Sequence, residues 1–164
     1  MAGEQVQQTP SEDRWHRLPE LPPDVFAVVH KPDRAINPVA VVATVDQDGT
    51  PRTAPFGSLR AVTPRLLRLA CNHHHDTYAN LCRDGRVSVA WLAPPNIAVS
   101  IRGRARMVKE QMDIAEHLVI LEIDVEEVKN DMMRRGIIES AIGFTPPEDL
   151  KDYYVGAIAE IEDM

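Results

Sequence analysis

The sequence predicts a mainly β protein, an antiparallel barrel with helices flanking it. Three observations point there. Five or six short extended runs follow one another at close spacing from residue 37 onward. An Asp-Gly pair sits between the first two of them, the strongest short-range signal for a hairpin. One short helical stretch interrupts the runs, whereas a parallel βαβ fold needs a helix after each strand.

The elements follow in order. Residues 1–13, polar and rich in Gln and Glu, read as a disordered tail, and residues 14–164 as a single domain closed by a C-terminal helix. "PPDVFAVVHKP" forms a short helix: its prolines fit the first turn, Asp24 lies at the positive end of the helix dipole, and Pro32 stops it. "NPVAVVATVDQDGTPRTAPFGSLRAV" holds a β-branched run, the turn Asp46-Gln47-Asp48-Gly49 and a second extended run. Pro51 and Pro55 mark that second run as an edge or irregular strand.

"PRLLRLACN" is a third strand, and "DTYANLCRDG" a short helix with Asp76 as its cap, Leu81 turned inward and Gly85 closing it. "RVSVAWLAP" and "AVSIRGRARMV" are two more strands joined by a turn at Pro94-Pro95-Asn96. A strand over Leu118–Val125 is followed by a loop or helical turn around Val128–Arg135, and "IIESAIGF" reads as a last short strand. "TPPEDLKDYYVGAIAEIEDM" is the terminal helix, with Thr145 as its cap and Glu148 and Asp149 near its start.

The bulk properties narrow the function. A formal net charge of −7 disfavours nucleic acid and membrane surfaces as partners. The polar N-terminus does not read as a signal peptide, and no stretch approaches a membrane span in length. Two cysteines, Cys71 and Cys82, are too few for a disulfide framework, and both read as packing residues. A cytoplasmic protein is the expectation.

Half of the six histidines stand in "NHHHDTYANLCRDGRV". If the strand before them stays extended, Cys71, His73 and His75 share one face and form a candidate zinc or iron site, although no fourth ligand stands out. A second reading is a phosphate site. The loop enters a helix at Asp76-Thr77, where free backbone N–H groups and the helix dipole favour an anion. Thr77 and His75 offer donors, and Arg52, Arg60 and Ser58 lie on nearby segments. Arg102, Arg104 and Arg106 alternate on one strand face, which reads as a solvated stripe. Trp91 reads as a core or dimer-interface residue.

Taken together, "VVATVDQDGTPRTAPF", "NHHHDTYANLCRDGRVSVAW" and "VSIRGRARMV" resemble, in that order, the FMN-binding split barrels related to pyridoxamine 5'-phosphate oxidase. "HDTYAN" is most similar to a segment of the small bacterial FMN-binding proteins of this fold, and the likeness spans about residues 22–125. The resemblance implies an antiparallel split β-barrel and a homodimer with an FMN in each groove between subunits.

It also implies site residues. Thr77 falls where a hydroxyl meets the FMN phosphate, and Asn72 and His75 fall in the loop around the phosphate and ribityl chain. Pro55, Phe56, Gly57 and Ser58 fall on the strand along the isoalloxazine ring, with Arg52 at its start as a candidate phosphate partner. Asp76 stands where many relatives carry Lys, so the positive charge would have to come from Arg52, Arg60 or His75.

The implied function is a flavoprotein oxidoreductase moving hydride or electrons between a donor such as NAD(P)H and a small acceptor. The alternatives are a non-catalytic FMN carrier, a same-fold binder of deazaflavin F420 or haem, and the metal protein. The acidic C-terminal helix lacks the Arg/His substrate motif of a true pyridoxamine phosphate oxidase; Tyr153, Tyr154 and Ile158 on its apolar side are placed to cover the barrel or pack across a dimer.

Overall fold

The computed structural model describes residues 17–164; the tail expected over residues 1–13 lies outside them. Among the described residues the chain runs β1 (Arg17–Leu18), α1 (Pro23–Val29), β2 (Ala40–Val45), β3 (Pro51–Phe56), β4 (Arg60–Thr63), β5 (Leu66–Asn72) and α2 (Asp76–Arg83). It continues with β6 (Arg86–Ala93), β7 (Ile97–Lys109), β8 (Leu118–Asn130) and α3 (Lys151–Glu162). The strands form one sheet in the order β3-β2-β6-β7-β8-β5-β4, with β1 added to β8, and each pairing is antiparallel. No helix of the described residues is long and apolar enough to cross a membrane.

Local sequence explains most of this. The Asp-Gly turn closes the β2–β3 hairpin, with Gly49 at φ 88° and its N–H donating to the Asp46 carbonyl at 2.9 Å. The prolines of β3 are tolerated because β3 lies at the edge of the sheet. Burial alternates along β2, β6 and the first half of β7, so one face supplies the core around Val42, Val89, Trp91 and Ile101. In β5 and β8 the alternation disappears because both faces are covered: Leu69 and Leu121 enter the main core, while Ala70 and Ile120 pack against Ala157 and Ile161 of α3.

Helix α3 is also fastened by charge. The buried Arg68 pairs with Glu122 at 2.7 Å and donates to the carbonyls of Ile161 and Met164. Arg60 pairs with Glu162 at 2.5 Å, and Lys109 with Glu160 at 2.7 Å.

Several expectations are corrected. The second extended run breaks at Gly57-Ser58-Leu59 into β3 and β4. Strand β8 continues to Asn130 where a loop or helical turn was expected; Glu126 and Glu127 sit there opposite the exposed arginine stripe, 3.7 Å from Arg104 and from Arg102 respectively. The stretch 137–144 is not a strand but part of an irregular strap, tied down by single bonds to distant backbone: Ile138 N–H to the Pro95 carbonyl and Val39 N–H to the Ile142 carbonyl. Thr145 does not cap the last helix, which begins after a 3₁₀ turn at Glu148–Leu150. Helix α2 is capped by His75, not Asp76, and its C-cap is Asp84, one residue before Gly85. Cys82 is exposed rather than packed.

Candidate functional site

The break after β3 creates the site. As the chain leaves the edge strand at Phe56 it passes under the C-terminal strap and α3, and a cavity of about 510 Å³ remains between them. Its floor is Pro55, Phe56, Gly57 and Ser58; its roof is Phe144, Tyr153 and Tyr154, with Ile36 and Leu118 on the walls. None of the described residues lining it carries a formal charge.

Both surfaces are held in place. Lys31, almost fully buried, donates to the Ile36 and Gly57 carbonyls at 2.7 Å each and lies 5.2 Å from the Trp91 ring centre. Burial and, second, the charge of Arg60 pull this ammonium down to about 7. The Ser58 hydroxyl donates to the Ala70 carbonyl and accepts the Ala70 N–H, so both of its roles are spent on the β5 backbone. A Cβ on Gly57 would lie 2.8 Å from Ile36 Cγ2, so glycine lets the floor pass close to that wall. Above, Asn37 holds the Phe144 backbone by two hydrogen bonds, and Phe144 meets Tyr154 edge-on, as Tyr154 meets Tyr153. Tyr153 Oη lies 3.4 Å from His117 Nε2.

The second half of the expected site adjoins the first, since Phe56 also touches the His75 ring, centroid to centroid 5.9 Å. There the side chains are turned on one another. His75 Nδ1 accepts the Thr77 N–H at 3.1 Å, and the His75 carbonyl accepts the N–H groups of Tyr78 and Ala79. Thr77 is buried at 1% exposure. The Asn72 side-chain oxygen accepts the His74 N–H, and His73 and His74 place their Nε2 atoms 2.9 Å apart.

Arg52 grips Asp46, with Nε 2.9 Å from both carboxylate oxygens and an Nη at 2.8 Å, and its Nε lies 3.5 Å from Asp76. The guanidinium, then the Asn80 amide, hold the Asp46 carboxyl below the usual carboxylate range. Arg60 is buried away from this loop on Glu162. Among the described residues no group of three His, Cys, Asp or Glu is arranged for a metal, and Cys71 is buried, its thiol pushed up to about 12 by desolvation.

The sequence-predicted residues thus fall into two adjoining groups: Pro55–Ser58 in the cavity, and Arg52, Asn72, His75 and Thr77 around the start of α2. The floor suits a flat uncharged ring, whereas the second group is poorly arranged for a cofactor phosphate, because its cation and the N–H groups of Thr77, Tyr78 and Ala79 are already engaged. The strap wall (Ile142–Phe144) read as part of a strand; the two tyrosines were legible as an apolar helix face placed to cover the barrel or pack across a dimer.

Comparisons with known proteins bear on the whole. A family model described as pyridoxamine 5'-phosphate oxidase matches residues 34–132, more than half of the chain. Comparison with curated protein sequences gives no match. Similar solved structures include a candidate pyridoxamine 5'-phosphate oxidase from Lactobacillus delbrueckii (TM-score 0.53, 20% identity, 68% of this chain and 94% of that one). An F420 reductase gives a TM-score of 0.55 at 16% identity over 68% of this chain and 100% of its own. HupZ from Group A Streptococcus gives 0.50 at 21% identity over 68% and 94%. At such identities these likenesses establish the fold, an antiparallel split barrel. By the family match, this chain belongs to the pyridoxamine 5'-phosphate oxidase family.

Proposed function

We propose that the chain is a homodimeric flavin-dependent oxidoreductase of the cytoplasm that seats an isoalloxazine ring in the cavity over Pro55–Ser58. FMN is the flavin that the family resemblance implies. The observation that carries the reading is the cavity itself: a charge-free slot with backbone on one side and aromatic rings on the other. Such walls suit a planar heteroaromatic group through stacking and dispersion. Its volume of about 510 Å³ is within the range of cofactor and small-ligand sites.

A ring bound there supplies hydride or electron transfer between a reduced donor such as NAD(P)H and a small acceptor. The protein's part is position and exclusion of water. Lys31 fixes the Gly57 carbonyl, Ser58 is locked to Ala70, and Tyr153 and Tyr154 close the upper side. A dimer is supported by exposed apolar side chains on β6, β7 and the strap, Leu92, Met107, Ile137 and Ile142 among them.

The test is a visible absorption spectrum of the purified protein before and after flavin is added, with its mass in solution from sedimentation. A flavin spectrum shifted by the protein, on a dimer, is expected. A Soret band would reassign the cavity to haem, and a deazaflavin spectrum to F420. No chromophore after addition of FMN or riboflavin would overturn the reading. A bound flavin that NAD(P)H fails to reduce would make the protein a carrier.

A further inference from the structure

We infer that this chain fills the phosphate end of its flavin site with its own carboxylates, so that it selects the flavin by its ring and does not favour the phosphorylated form. The inference rests on the ring-binding reading above and concerns the residues beside that ring, where Phe56 meets His75.

A phosphate dianion at the start of a helix needs free backbone N–H groups, a hydroxyl or a cation, and preferably all three. Here the cation and three of the N–H groups are committed, and the residue bearing the hydroxyl is buried. The Thr77 N–H is capped by the His75 ring, and the next two N–H groups bond to the His75 carbonyl. The Thr77 side chain is buried. The Arg52 guanidinium holds Asp46 by three short contacts and faces Asp76.

Charge points the same way. Around Arg52 stand three carboxylates, Asp46, Asp48 and Asp76, and the further cation, Arg83, donates to Asn80 and to the Val45 carbonyl. Three negative groups against two positive ones leave this corner net negative. Asp76 is exposed, sits in the first turn of α2, and is where a carboxylate gains from the helix dipole. It takes the part that an incoming anion would play, and an anion arriving as well would be repelled. A neutral ribityl tail meets no such penalty.

The experiment is equilibrium titration of the full-length apo protein with riboflavin and with FMN, read by quenching of flavin fluorescence. Riboflavin is expected to bind as tightly as FMN or more tightly. FMN affinity should rise as salt is added, because screening weakens repulsion, while riboflavin affinity stays level. Asp76→Lys should tighten FMN by about tenfold and leave riboflavin unchanged; Asp76→Asn should move FMN the same way by less. FMN binding more than about tenfold tighter than riboflavin to the unaltered chain would overturn the inference, as would an Asp76→Lys protein with unchanged FMN affinity. Failure of both flavins to bind would instead overturn the ring-binding reading on which it rests. Riboflavin binding by each variant also reports that its fold is intact.

Discussion

Removing the Glu162 carboxylate tests whether α3, and with it the aromatic roof, is fastened by charge as well as by packing. Arg60 has a side chain 2% exposed and three acceptors: Glu162 at 2.5 Å, the Ala35 carbonyl at 2.8 Å and the Ser58 carbonyl at 3.3 Å. Glu162→Ala leaves a buried guanidinium with two neutral acceptors, one of them long. Loss of a charge-assisted bond at a buried cation costs about 2–4 kcal/mol. A cavity of about 350 Å³ beside Arg60 and Glu162 can admit water to the stranded cation, which favours the lower figure. For a chain of this length about 2 kcal/mol lowers Tm by roughly 4–8 °C. Glu162→Gln keeps an acceptor and should lose about half as much. Urea unfolding with unchanged m-value is the assay. A loss below about 0.5 kcal/mol for Glu162→Ala, the level of a neutral surface change, would refute the reasoning.

Two further outcomes follow from the same structure. Lys31 is pulled down to about 7 in the folded state but stays protonated to about pH 10 in the unfolded chain. The unfolded state therefore holds the extra proton between these values, and stability should rise with pH across that window, relative to Lys31→Met, and level off below about pH 7. Parallel stability–pH curves for the two proteins would refute it. A Cβ at Gly103 would fall 2.2 Å from the Asp124 carbonyl oxygen, where the β7 and β8 backbones close on each other. Gly103→Ala should cost more than about 4 kcal/mol, while Gly143→Ala, which meets nothing within 4 Å, should be near neutral; equal Tm values would remove the close approach as the reason for glycine.

What the sequence showed and what it withheld divide along physical lines. The hairpin was legible because Asp-Gly chemistry and β-branched runs act over a few residues. The edge position of β3 was legible because proline cannot donate to a neighbouring strand. The far end of β8 was not: of residues 126–130 only Val128 is deeply buried, and the acids gain their meaning from an arginine stripe on another strand. The strap was misread as a strand for a similar reason, since scattered hydrogen bonds to Pro95, Val39 and Asn37, rather than a paired strand, hold it. At the site, the type and place of Arg52 could be read, but not its state. That depends on Asp46 across the turn and Asp76 on a helix that only the fold brings alongside.

Two features of this chain bear on one another. The family match ends at residue 132, so the roof residues Phe144, Tyr153 and Tyr154 lie outside it. The floor, Pro55–Ser58, lies inside it. At the other end of the site Asp46 holds Arg52, and a second acid, Asp76, stands 3.5 Å from the same guanidinium. A flavin site that gives up the electrostatic hold on a phosphate has to recover affinity from the ring, and ring affinity comes from aromatic and apolar contact. The roof of Phe144, Tyr153 and Tyr154 would supply such contact to a ring in the cavity. The Arg60–Glu162 and Lys109–Glu160 ion pairs, the bonds of Arg68 to the backbone oxygens at the end of α3, and the packing of Ala157 and Ile161 keep that roof in place. On the proposed flavin reading the acid at 76 and the roof act together: replacing Asp76 alone should change which flavin is preferred, whereas loosening α3 should weaken every flavin alike.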